Sequence, residues 1–143
     1  MTKPLPLAAA KGALILPWFG SAQEALAAAE GQSPLWRLRG SRMRTRTGLL
    51  EEWCTATPFP DYFGGTWDAL RDALSDLPEG GTFLILEADQ LLQEALPTEF
   101  QTLVAVLRDV QEDLDPKPFR LVLQVAPDRY ETLVEGLRGL GLL

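Results

Sequence analysis

Asp68, Asp72 and Asp76 stand four residues apart, the spacing that stacks side chains along one side of an α-helix, about one turn between neighbours. Carboxylates set that way can do three kinds of chemistry. Asp68 and Asp72 can share a divalent cation such as Mg²⁺, or divide into an acid and a base for proton transfer. The row can instead be a binding surface for a cationic partner. What accompanies the row decides among these. The chain has no histidine and a single cysteine, Cys54. It also lacks a glycine-rich phosphate loop and any serine or cysteine nucleophile motif, so catalysis is missing its usual groups. No catalytic set, no metal site and no cofactor is expected, and the binding chemistry is favoured.

A helix must hold the row. Thr66 is a suitable N-cap, and from Trp67 to about Leu77 the residues Leu70, Ala73, Leu74 and Leu77, flanked by Trp67, gather on one arc at about 100° per residue. That arc is the core face. Asp68, Asp72, Ser75 and Asp76 lie opposite, and Pro78 with Gly80-Gly81 ends the helix. Like charges one turn apart destabilise a helix by about 0.2–0.5 kcal/mol. The helix dipole favours Asp68 near the N-terminus and progressively disfavours Asp72 and Asp76. An ordinary solvated face is the plain alternative for this row.

The flanking sequence alternates strand and helix signals. Ala13 to Leu16 reads as a short buried strand, and Ser21 with Glu24 is a capping box opening an alanine-rich helix that ends at Gly31. Residues 1–34 read as an N-terminal addition packed on a core domain of residues 35–143. Trp36-Arg37-Leu38-Arg39 alternates as a half-exposed strand does, with a turn at Gly40-Ser41. From Thr47 as N-cap, a helix carries Leu49, Leu50 and Trp53 until Pro58, and Cys54 in it reads as a small packing residue. Thr82 to Leu86 is almost wholly apolar, which predicts burial on both faces, as in a parallel sheet. Thr98 with Gln101 caps a helix bearing Leu103, Val106, Leu107 and Val110, and Phe119 to Val125 is the next strand. Pro127-Asp128 opens a last helix through Leu133, Val134 and Leu137, with Asp128 and Glu131 as its capping pair. The pattern predicts an α/β domain with a small parallel sheet of three core strands, a fourth available from the N-terminal addition, packed with helices.

Composition bounds the function. At 143 residues, 46% hydrophobic and 23% charged, the chain is sized and composed for one compact domain. The net charge of −7 is unevenly spread. Residues 1–50 carry seven Lys or Arg against Glu24 and Glu30, a net +5, and residues 51–143 carry 18 Asp or Glu against six Lys or Arg, a net −12. A large acidic surface favours a cationic partner over nucleic acid. The longest uncharged stretch, Gly12 to Gln23, is interrupted by Pro17 and too short to cross a membrane. Lys11 and Pro17 break up what faintly imitates a signal peptide, and the lone cysteine fits a reducing compartment, so the expected location is the cytoplasm.

The segment Phe59-Pro60-Asp61-Tyr62-Phe63-Gly64-Gly65-Thr66-Trp67-Asp68-Ala69-Leu70-Arg71-Asp72-Ala73-Leu74 resembles the signature of the barstar family, a Pro-acidic-Tyr-aromatic-Gly turn followed by Asp-Ala-Leu-x-Asp-x-Leu. Leu35 to Val125 follows that family's element order more loosely. The resemblance implies a non-enzymatic inhibitor that presents this helix and the loop before it to the active site of a basic ribonuclease. It implies Tyr62, with Phe63 and Gly64 beside it, as a loop contact, Asp68 as a charge partner, Asp72 as the central anchor with Asp76 further round, and Asp109 as an outlying acidic contact. Two positions depart from the pattern. Thr66 stands where the family often has Asn, and Arg71 stands where Trp is common. A cation at Arg71 can pair with Asp68 or Asp72 and weaken attraction for a basic site, so its removal is expected to leave affinity for a basic partner unchanged or improve it, and the partner can differ.

Three other readings remain open. Asp68 and Asp72 as a catalytic or Mg²⁺ pair lack supporting groups. Arg37, Arg39, Arg42, Arg44 and Arg46 form a basic patch suited to nucleic acid, or else a charged edge strand that resists aggregation or pairs with the acidic half. The same binding fold can also serve as an immunity factor against a different nuclease toxin.

Overall fold

The computed structural model describes residues 14–31, 34–57 and 65–142. Among them four parallel strands form one sheet: β1 (Ile15–Phe19), β2 (Leu35–Arg39), β3 (Gly81–Leu86) and β4 (Phe119–Val125), in the spatial order β1-β4-β3-β2. Five helices connect and cover them: α1 (Ala22–Ala28), α2 (Arg46–Ala56), α3 (Trp67–Ser75), α4 (Pro97–Leu114) and α5 (Tyr130–Gly139). The sheet is the expected one, with the N-terminal strand added as its fourth member. That strand runs on past the expected end at Leu16 to Phe19: among the described residues the Leu121 N–H donates to the Leu14 carbonyl (2.7 Å), and at the far end the Gly20 N–H donates to the Val125 carbonyl (3.1 Å), while Ala13 lies outside them. Even-numbered residues of β1 therefore face β4. Pro17 turns its missing donor to the open edge, where a sheet tolerates it.

The two inner strands, β3 and β4, are buried along nearly their whole length, as their unbroken apolar runs predict. Alternate residues feed two unequal layers. On one side Leu38, Phe83, Ile85, Leu121, Leu123 and Val125 pack against Leu49, Leu50 and Trp53 of α2, Leu70 and Leu74 of α3, the Leu103, Val106, Leu107 and Val110 stripe of α4, and Leu137 of α5. Phe83 is the centre of this layer, with its ring 4.9 Å from Trp36, 5.5 Å from Trp53 and 5.6 Å from Phe119. On the other side Trp18, Leu84 and Val122 meet Ala25 and Ala29 at α1. The Gly80 backbone, at φ +66°, lies so close to the Pro118 carbonyl that a Cβ there would fall 2.0 Å from its oxygen. Only glycine admits that approach of the α3–β3 turn to the start of β4.

Several helix starts differ from expectation. The cap of α2 is Thr45, not Thr47: Thr45 has extended backbone and its hydroxyl accepts the Gly48 N–H at 3.1 Å, which leaves Thr47 inside the first turn. α4 begins at Pro97 after Leu96, so Thr98 is not its cap; proline is pre-set for the first helical position and needs no donor there. The Asp128 and Glu131 capping pair does not form, because Pro127–Arg129 is a 3-10 turn that runs into α5 with no side-chain cap. Cys54 is exposed and not a packing residue, since it falls just outside the arc of Leu49, Leu50 and Trp53. The capping box of α1 is present: the Ser21 hydroxyl accepts the Glu24 N–H and the Glu24 carboxylate accepts the Ser21 N–H, both at 3.0 Å, and hydrogen bonding to Ser21, its backbone first, holds the Glu24 carboxyl below its ordinary pKa.

Candidate functional site

α3 begins where Thr66 accepts the Ala69 N–H at 3.1 Å, and it is pinned to the core by Leu70 and Leu74, both fully buried. That packing fixes the rotation of the helix. Asp68, Asp72 and Asp76 then follow one another along its exposed side, Asp72 with 76% of its side chain accessible. The helix is shorter than expected: it ends at Ser75, with Asp76 as C-cap and Leu77 beyond it but still buried.

A second row lies between the acidic side and the core side. Trp67, Arg71 and Ser75, also four apart, line the seam where α3 packs on α4, and each meets a carboxylate of α4. The Trp67 indole N–H donates to Glu99 at 3.0 Å, and the Ser75 hydroxyl donates to Asp113 at 2.9 Å. Arg71 stands between them, its Nη1 3.9 Å from Asp109 and its Nε 3.9 Å from Asp72. Arg71 thus pairs across the two helices, with Asp72 and Asp109; among the described residues it makes no ion pair with Asp68, the other partner allowed from sequence.

The structure therefore gathers Asp68, Arg71, Asp72, Asp76 and Asp109 on one exposed face built from α3 and α4. Tyr62, Phe63 and Gly64 lie outside the described residues, as does Pro58. Sequence reading missed Asp113 and Glu99, which extend the acidic face along α4. The regular spacing of Trp67, Arg71 and Ser75 at the border of the apolar arc was the available signal for a second helix alongside. Chemically, the face offers solvated carboxylates in a shape fixed by a buried core. No group of three or more His, Cys, Asp or Glu able to hold a metal ion occurs among the described residues.

Three of the five arginines of the first-half basic patch are paired with carboxylates of the acidic half. Arg39 meets Glu52 at 3.4 Å, Arg44 meets Glu94 at 2.9 Å and Arg46 meets Glu99 at 3.8 Å, while Arg37 and Arg42 are exposed. Glu52 is buried and also accepts the Arg39 N–H at 2.8 Å, covering part of the outer edge of β2. Charges and a side-chain plug on an edge strand match the aggregation-resistant, acid-paired alternative. Among the described residues no helix is long and apolar enough to cross a membrane.

A family model described as Barstar (barnase inhibitor) matches residues 34–124. No curated protein matches the chain.

Proposed function

Because this chain belongs to the barstar family, we propose that it is a non-enzymatic inhibitor that binds and blocks the active site of a basic ribonuclease with the acidic face of α3 and α4 and the loop before α3. The observation that carries this reading is the alignment of exposed Asp68, Asp72 and Asp76 on a helix whose rotation the buried Leu70 and Leu74 fix. A nuclease collects Arg and Lys to hold phosphates, and rigidly spaced carboxylates occupy those cations in place of RNA. Rigidity of the helix matters because a backbone already held in place by Leu70 and Leu74 loses little freedom on binding. Asp72 is the central anchor in this reading, Asp68 and Asp109 flank it, and Tyr62 with Phe63 and Gly64 contributes from the loop. The work is done in the cytoplasm, which suits an exposed free thiol at Cys54.

The test is an RNA-cleavage assay with a purified basic microbial ribonuclease. Activity should fall linearly with added protein and vanish near one equivalent, and the protein alone should cleave nothing with or without Mg²⁺. Metal-stimulated cleavage that disappears in Asp68→Ala or Asp72→Ala would replace the inhibitor with an enzyme.

A further inference from the structure

Arg71 is the one cation on α3, and it is set into the middle of the acidic face. Its guanidinium is 3.9 Å from Asp72 and 3.9 Å from Asp109, with 42% of the side chain exposed. Those separations exceed hydrogen-bond length. The two carboxylates hold the group in place electrostatically and leave its planar fork of N–H donors open to an incoming acceptor. A tight bidentate pair with either carboxylate alone would have used up that fork. Shared between two helices, it is centred in the face.

We infer that Arg71 is a specificity-determining residue of the inhibitory face, and that it reads the carboxylate of the general base in the nuclease active site. This rests on the inhibitor reading above. A ribonuclease that attacks with the 2′-hydroxyl of RNA needs a base to take the hydroxyl proton and cations to hold the phosphate oxygens. Where that base is Asp or Glu, the site is a ring of positive charge around one negative charge. The face of α3 and α4 has the opposite arrangement, with Asp68, Asp72 and Asp109 around one guanidinium. Docked together, each charge meets its complement. Without Arg71, the nuclease carboxylate would be pressed against Asp72 and Asp109, and like charges brought together in an interface select against the complex. The effect is selective: Arg71 favours ribonucleases with a carboxylate base over those that use histidine. This is the opposite of the expectation from sequence that removing this cation leaves affinity for a basic partner unchanged or improves it, and the two are separated by experiment.

The experiment is a double-mutant cycle by calorimetric titration. Wild-type protein, Arg71→Gln, Arg71→Lys and Asp72→Ala are each titrated against a purified basic ribonuclease whose general base is Glu and against its Glu→Gln variant, with thermal melts to verify folding. Arg71→Gln should weaken binding to the unmodified nuclease by about tenfold or more, Arg71→Lys should recover part of that, and the loss should shrink to under about threefold against the Glu→Gln nuclease. Arg71→Gln binding as tightly as wild type, or losing equally against both nucleases, overturns the inference while a loss at Asp72→Ala leaves the inhibitor reading standing. Wild-type protein that binds neither nuclease, with Asp72→Ala equally silent, overturns both.

Discussion

Asp72 has no structural duty in this fold. Its side chain is mostly solvated, its one ion pair among the described residues is the loose one with Arg71, and it lies one turn from the like charges of Asp68 and Asp76. Asp72→Ala should therefore leave the thermal melt unchanged or raise it slightly by relieving repulsion. Binding should behave quite differently. A carboxylate seated among nuclease arginines strands desolvated positive charge when removed, and titration should show a loss of ~2–5 kcal/mol or more, a magnitude taken from interface hot spots generally, among which an aspartate of barstar itself is an extreme case. An unchanged affinity would remove Asp72 from the role of anchor. The acidic row was legible from sequence because four-residue spacing and an apolar arc together fix which way each side chain points. The partners of Arg71 were only half legible. Asp72 is a neighbour on the same helix, whereas Asp109 belongs to another helix whose packing angle no local pattern encodes.

At the scale of the element, α3 is short and depends on its ends. Thr66 supplies the one side-chain cap at its N-terminus, next to Asp68. Thr66→Ala should cost about 1 kcal/mol in chemical denaturation and fray the first turn, so that Asp68 loses its fixed position while Asp72, held behind buried Leu70 and Leu74, keeps its own. Hydrogen exchange should rise at Ala69 and not at Leu74; equal protection in the variant would mean that packing on α4 alone sets the start of the helix. Caps such as this one and the Ser21 box were readable because a hydroxyl residue stood alone before an apolar run. Where two threonines compete, as at Thr45 and Thr47, the choice belongs to the backbone: Gly48 lies against the Arg42 carbonyl, where a Cβ would fall 2.5 Å from its oxygen, and that approach is tertiary. At Leu96-Pro97 the proline outranks Thr98, and the uncapped leucine is left 70% exposed.

Across the whole molecule, charge separates by region, and the arginines of the first half spend part of their charge on Glu52, Glu94 and Glu99. What faces outward on α3 and α4 is negative on balance, with Asp68, Asp72, Asp109, Glu112 and Asp113 against Arg71 and Arg108, so encounter with a basic nuclease should be steered. The association rate, followed by stopped flow, should fall as ionic strength rises from low to physiological while the dissociation rate changes little; a flat association rate would locate the contact away from the acidic face. The parallel α/β class and the strand identities were legible because unbroken apolar runs separated by helical periods admit few other arrangements. The spatial order was not, since nothing local tells β1 to pair with β4 across about a hundred intervening residues. That order has a consequence for how the chain emerges from the ribosome. Of the four described strands β4 is the last made, yet it occupies an inner position and joins β1 to β3. Until Val125 is clear of the exit tunnel, β1 lacks the strand it pairs with among the described residues, and the layer beneath α3 lacks Phe119, Leu121 and Leu123. At about 5–20 residues per second, Asp72 is exposed for several seconds on a nascent chain that cannot yet hold it in place. In a protein that works as proposed, a copy whose translation begins only once the nuclease is present contributes no inhibition until β4 has been made and joined to the sheet.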